Sequence, residues 1–170
     1  MDIGDGEVRR RMHDVRHIRL AMVAEAPVLA GIYASTVREL GPQLYTPEQV
    51  EAWSGFGAQV EKFRALLETA ETFVWEEGGA VLGFCTIEST GYVNLLYVAA
   101  GATRKGIGGH LLAHALRHAE TVHGVRRFTT KASHFSRALF ARHGFVVEEE
   151  EHVDYGGVTF HRFSMARELP

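Results

Sequence analysis

The chain has one cysteine, four prolines and no apolar run long enough to cross a bilayer, and each shortage removes a class of protein. Cys85 on its own cannot form an internal disulfide, so the disulfide-stapled secreted scaffolds are excluded and a reducing compartment is expected. It lies within an apolar run and reads as a small core residue. No stretch approaches the roughly 20 apolar residues of a membrane helix, and the first residues lack the apolar segment of a signal peptide. The expectation is a cytoplasmic protein with no membrane partner. Charge of one sign is also lacking: 18 Lys and Arg stand against 21 Asp and Glu, for a net charge of −3. The two signs are interspersed, which gives no field for holding nucleic acid. No internal repeat or low-complexity segment is apparent.

What is present suits one core. A chain of 170 residues with 46% hydrophobic content is long enough for a single buried interior and short for two. Met1 to His13 mixes Asp, Glu, Gly and Arg without apolar periodicity. Residues 1–14 therefore read as a mobile leader and 15–170 as one domain. Alternation from Val15 to Leu20 predicts a short strand. Glu25-Ala26-Pro27 starts a helix that runs to about Glu39, carrying Val28, Leu29, Ile32 and Tyr33. Thr46-Pro47-Glu48-Gln49 is a capping box and opens a second helix with Val50 and Trp53 turned inward. It breaks at Ser54 to Gly57, and Val60, Phe63, Leu66 and Leu67 follow at helical spacing.

Thr72–Glu76, Val81–Ser89 and Tyr92–Ala99 read as three strands joined through Glu77-Gly78-Gly79 and Thr90-Gly91, turns short enough to demand an antiparallel meander. A fifth strand spans Val125–Lys131. Ser133 then caps a helical segment, SHFSRALFARHGF, with Ala138 and Leu139 facing in, Gly144 stopping the helix and Phe145 folding back as a clasp. Val146–Tyr155 and Val158–Ala166 pair across Gly156-Gly157. Glu148 to Glu151 alternate faces in that hairpin and read as a solvated edge that discourages unwanted pairing.

The stretch Tyr92 to Ala119 organises the rest. An apolar strand ends in a glycine-rich basic turn, and that turn opens an amphipathic helix with Ile107, Leu111, Leu112, Ala115, Leu116 and Ala119 on one face. Gly106, Gly108 and Gly109 leave backbone N–H groups bare at a helix start, and Arg104 and Lys105 stand beside them. The combination is an anion cradle. A phosphate-binding P-loop would need Lys-Ser or Lys-Thr after the last glycine, where Ile107-Gly108 stands. A dinucleotide fingerprint would need glycine at Leu111 and a later acidic residue in a parallel unit, and both are missing.

The turn, in this place between strand and helix, resembles the acyl-CoA site of the GCN5-related N-acetyltransferases (GNAT). Their signature of Gln or Arg, two free residues, Gly, one free residue, then Gly or Ala runs here from Thr103 through Gly106 to Gly108. Thr103 departs from it, with Arg104 beside it to supply charge. SHFSRALFARHGF resembles the same family, which commonly has Asn and Tyr where Ser133 and Phe140 stand. The resemblance implies an α/β (α+β) fold, with a mixed, mostly antiparallel central sheet of six to seven strands flanked by helices. It implies acetyl-CoA as co-substrate and an amine as acceptor. The pantetheine would run beside Leu96, Tyr97 and Val98, the pyrophosphate would lie on amides from Arg104 to Gly109, Ile107 included, and Ser133 and Phe140 would border the cofactor. The early helices would form the acceptor side, where Tyr33, Tyr45 and Trp53 either touch substrate or belong to the core. Family members often dimerise, so a homodimer is an open expectation.

Catalytic groups are harder to assign. Phe140 cannot donate a proton, so the usual general acid is missing. Counting back from the cradle puts Tyr92 and Asn94 where many members carry a carboxylate; either would order a water to take the amine's proton. Glu88, the nearest carboxylate in sequence, is either the base itself or an exposed strand end. The expected reaction is direct transfer to a small-molecule amine in a ternary complex, with transfer to a protein or peptide amine and a silent acyl-CoA-binding module as rivals. His110, His114 and His118 sit four apart on a neighbouring helix face, a spacing that suits metal. With no cysteine or carboxylate in view to complete a set, they read as a solvated stripe, and no metal is expected.

Overall fold

The computed structural model describes residues 16–170. The mobile leader expected over 1–14 and the strand start expected at Val15 lie outside the described residues. Among the described residues seven strands form one sheet: β1 (Arg16–Leu20), β2 (Glu71–Glu77), β3 (Ala80–Ile87), β4 (Tyr92–Val98), β5 (Arg127–Ala132), β6 (Val146–Tyr155) and β7 (Val158–Glu168). Their order is β1-β2-β3-β4-β5-β7-β6, and every neighbouring pair is antiparallel except β4 and β5.

Local chemistry explains the order. Gly78 and Gly79 have φ of 60° and 81°, and Gly156 and Gly157 have 59° and 81°. Positive φ at both central residues is what a two-residue turn needs to match the strand twist, so each glycine pair closes a hairpin. A parallel pair cannot be joined by a tight turn, and α4 (Ile107–His123) supplies the crossover from β4 to β5.

Helices cover both faces. On one, Ile107, Leu111, Leu112, Ala115, Leu116 and Ala119 of α4 pack on Phe73, Cys85, Ile87, Val93 and Phe128. On the other, α1 (Ala26–Leu40) and α3 (Val60–Thr69) set Leu29, Tyr33, Val37 and Phe63 on Val74 and Phe84. Between them α2 (Pro47–Ser54) begins at the expected capping box: Thr46 Oγ1 accepts from the Gln49 amide at 3.2 Å, and Gln49 Oε1 accepts from the Thr46 amide at 2.9 Å.

Three expectations need correction. Ser133 does close a reciprocal pair, its Oγ accepting from the Ser136 amide at 3.2 Å while Ser136 Oγ accepts from the Ser133 amide at 2.9 Å. The helix α5 (Arg137–Arg142), however, starts one turn later, and this turns Phe140 into the core and leaves Ala138 exposed. Gly144 (φ 84°) and Phe145 end it as expected, with the Phe145 ring 5.2 Å from that of Phe140. Secondly, Glu148 to Glu151 lie on the edge strand β6 but are not simply solvated. Glu148 binds Arg127 at 2.7 Å, Glu150 binds His161 at 2.9 Å, and Glu151 binds Lys131 and also Arg162, the latter at 2.8 Å.

The third correction concerns the histidine stripe, which packs along β2. His110 stacks on Trp75 with ring centroids 5.7 Å apart, His114 meets the Phe73 ring at 4.7 Å, and His118 Nε2 lies 2.8 Å from Glu71 Oε1. Four helical residues rise ~6 Å and two strand residues ~6.7 Å, so an i, i+4, i+8 row on α4 matches alternate residues of an adjacent strand. A carboxylate remote in sequence thus completes the stripe.

Candidate active site

The sheet opens where β4 and β5 part. They pair at Tyr92↔Thr129 and Val93↔Thr130, and beyond Val93 the two strands diverge. On its other side β4 carries a bulge: Thr86 pairs with Leu95 and Ile87 with Val93, which leaves Asn94 as the extra residue. The bulge is visible in the packing. Val93 belongs to the α4-side core with Leu96 and Val98, a spacing strict alternation forbids, while Leu95 and Tyr97 pack toward α1 and α3.

The divergence creates a cleft of about 1160 Å³ that runs from the glycine turn to the β6–β7 hairpin. That exceeds the ~300–1,000 Å³ of an ordinary small-ligand pocket and leaves room for two substrates together. Along one wall the β4 edge from Asn94 to Val98 presents main-chain groups, with Val98 O taken by Thr36 Oγ1 at 3.0 Å. An open strand edge is a template for an extended partner.

At the end nearer α4 the cleft is lined by Thr103, Arg104 and Gly108. Gly106 caps α4 in the left-handed region (φ 78°), and Arg104, at φ 63°, is the one non-glycine described residue with positive φ. No described side chain caps this helix end, and the first intrahelical bond runs from the His110 amide to Gly106 O at 3.0 Å. The amides of the first turn therefore lack intrahelical acceptors. A left-handed non-glycine residue costs ~1–2 kcal/mol, and strain of this kind collects at ligand sites. The other glycines serve packing: a Cβ on Gly108 would stand 3.3 Å from Leu139, and one on Gly109 3.4 Å from His143.

The opposite end is aromatic. Tyr33, Tyr45 and Trp53, the expected acceptor residues, all line the cleft, joined by Phe56, Phe135, Tyr155 and Phe160. Trp53 Nε1 donates to Tyr97 Oη at 3.2 Å, and Tyr45 Oη accepts from the His134 amide at 3.1 Å. Burial pushes the Tyr97 phenol up to about 12 and raises those of Tyr33 and Tyr45 as well. All three keep their protons at neutral pH and do not serve as bases.

Of the expected cofactor residues, Leu96, Tyr97, Val98, Thr103, Arg104, Gly108, Ser133 and Phe140 line the cleft, while Lys105, Gly106, Ile107 and Gly109 do not. The Ile107 side chain is buried under α4, leaving only its backbone for a ligand. Of the expected catalytic residues Asn94 lines the cleft; Tyr92 and Glu88 stand outside its wall. Glu88 Oε1 accepts from Asn94 Nδ2 at 3.2 Å, so it reaches the cleft through Asn94. Tyr92, its phenol raised by burial, lies among Arg162, Glu88 and Glu151.

Sequence reasoning missed Lys131, His161 and Arg162 in the lining. Lys131 and Arg162 both bind Glu151, holding its carboxyl below the usual range. His161 Nε2 meets Glu150 Oε2 at 2.9 Å and its Nδ1 meets His134 Nε2 at 3.2 Å; burial, then His161 and Arg137, keep the His134 imidazole below its ordinary value. The alternation of β7 would have put Phe160 and Arg162 on one face, but only the register with β5 and β6 reveals that this face borders the cleft.

Known proteins share this architecture. The chain is 28% identical over 140 residues to the uncharacterized N-acetyltransferase YafP of Escherichia coli K12, covering 81% of this chain and 85% of that protein. A GCN5-related N-acetyltransferase structure from Rhodopseudomonas palustris superposes with a TM-score of 0.86 at 24% identity, over 92% of this chain and 98% of the other. The PaiA N-acetyltransferase of Thermoplasma acidophilum, solved with coenzyme A, gives a TM-score of 0.74 at 17% identity over 91% and 99%. Residues 43–167 match the sequence profile of the acetyltransferase (GNAT) domain, and with most of its length inside that match the chain belongs to the GNAT acetyltransferases.

Proposed function

We propose that the chain transfers the acetyl group of acetyl-CoA to the amine of a small molecule, by direct attack within a ternary complex. The observation that carries this reading is the continuity of the open β4 edge, Asn94 to Val98, with the strained turn at Thr103 and Arg104. An extended pantetheine would satisfy the strand edge while its pyrophosphate meets the amides at the start of α4 and the Arg104 charge. Main-chain N–H groups of that edge would polarise the thioester carbonyl.

The acceptor enters from the aromatic end. The amine nitrogen attacks the carbonyl carbon, the new C–N bond forms as the C–S bond breaks, and the sulfur leaves as thiolate. Asn94 Nδ2 is given to Glu88, so its Oδ1 remains to hold the water that accepts the amine's proton, with Glu88 as the positioning residue. Phe140 offers no proton, and the thiolate is protonated from solvent. Apolar walls from Tyr33, Trp53 and Phe160 and, among the described residues, a single lining carboxylate, Asp154, favour a compact acceptor with an apolar body over a flexible lysine side chain of a protein. The buried, unpaired Cys85 fits a cytoplasmic setting.

The test is release of free thiol from acetyl-CoA with a panel of small primary amines and of lysine-containing peptides. Turnover with aromatic or apolar amines and none with peptides is expected. Efficient peptide turnover without a small-molecule acceptor would overturn the acceptor assignment.

A further inference from the structure

We propose that Glu71, His118 and His123 form a binding site for a divalent transition metal, with zinc the best match to the ligand set. Glu71 opens β2, and the two histidines belong to the last turns of α4. Glu71 Oε1 lies 2.8 Å from His118 Nε2, and Glu71 Oε2 lies 2.8 Å from His123 Nε2. The three potential ligand atoms fall within 4.8 Å of one another. The Glu71 and His118 side chains are 31% and 25% exposed and partly held in place, while His123, at the helix end, is an exposed residue open to an arriving ion.

The two imidazoles converge on one carboxylate, each meeting a different oxygen, and a doubly charged ion among them would take a lone pair from each of the three groups at once. Neutral imidazoles bind through Nε2 once their N–H is carried on Nδ1, and each ring here already directs Nε2 at the Glu71 carboxylate. Two nitrogens and one carboxylate oxygen, with water in the fourth position, make a common tetrahedral zinc environment; hard cations such as magnesium prefer oxygen alone. Glu71 and His123 also line a second cleft of about 390 Å³, which gives the fourth position access to solvent.

The site would tie the C-terminal end of α4 to the start of β2. None of its ligands lines the large cleft, so it stands apart from the acetyl-transfer reading, and either can fail without the other.

The test is a calorimetric titration of the full, untagged chain with zinc alone, with magnesium as comparison, accompanied by thermal unfolding. One saturable zinc site per chain is expected, with a midpoint that rises with zinc concentration. His123→Gln, at the helix end, and Glu71→Gln are each expected to weaken zinc by more than the roughly 10- to 100-fold that even an outer partner of a metal ligand contributes. His152→Gln, on the far edge strand, is expected to leave it unchanged. Should Glu71→Gln fold poorly, His123→Gln decides the matter. Absence of saturable zinc binding, or binding that survives His123→Gln undiminished, would overturn the site.

Discussion

Asn94 donates its side-chain amide to Glu88 across 3.2 Å from the bulge of β4, so a carboxylate outside the cleft fixes which end of the amide faces in. Asn94→Ala is predicted to lower kcat by about 100-fold, the low end of what positioned proton transfer contributes, while changing the KM for acetyl-CoA little. Glu88→Gln keeps the size but lets the Asn94 amide turn over, and about a tenfold loss in kcat is expected. Steady-state kinetics with the best acceptor check both; equal losses in kcat and cofactor affinity would make Asn94 a binding residue instead.

Arg104 combines backbone strain with a charge at the cradle, and substitution separates the two. Arg104→Gly relieves a left-handed conformation worth ~1–2 kcal/mol, so the unfolding midpoint should hold or rise while acetyl-CoA binding weakens. Arg104→Ala loses the charge and keeps the strain. Calorimetry and thermal unfolding on the two variants together distinguish the roles.

Cys85 has no exposed surface, and burial pushes its thiol up to about 12. The native protein is predicted to resist thiol reagents at pH 8 and to yield one reactive thiol in denaturant. Rapid native labelling would contradict the packing of β3 against α4.

Glu25 receives two bonds from Arg19, at 2.7 and 2.9 Å, and the Met22 amide at 2.8 Å, tying β1 to the start of α1. The Arg19 guanidinium holds the Glu25 carboxyl below its ordinary 4.5. A depressed carboxylate contributes stability that is complete above the unfolded value and disappears as pH falls through the folded one. Glu25→Gln should therefore lose about 1–2 kcal/mol at pH 7, and the difference from wild type should close below pH 4.5. Thermal unfolding across pH 3 to 7 measures this.

Much of the fold is legible in the sequence because its signals are local. Gly78-Gly79 and Gly156-Gly157 dictate hairpins by backbone freedom alone, Thr46 to Gln49 writes a helix start, and the apolar face of α4 fixes its packing. The cradle is legible for the same reason. Features made by long-range register are not. Nothing within Tyr92 to Val98 marks Asn94 as a bulge, so alternation groups Tyr92 with it although Tyr92 stands outside the cleft wall. Glu71 meets His118 across 47 positions, and Lys131 meets Glu151 across 20. The start of α5 one turn beyond Ser133 depends on the Ser136 side chain folding back, which moves the buried position from Ala138 to Phe140.

The most direct test of the central claim is thermal unfolding of the purified chain with acetyl-CoA, CoA and ATP in separate titrations. A ligand held at a hundredfold excess over its Kd stabilises the folded state by about 2.7 kcal/mol, several degrees for a chain of this size. The predicted result is a concentration-dependent rise with acetyl-CoA and CoA and none with ATP. A midpoint unmoved by either CoA species would contradict the assignment of the β4 edge and the Arg104 turn as the acyl-CoA site.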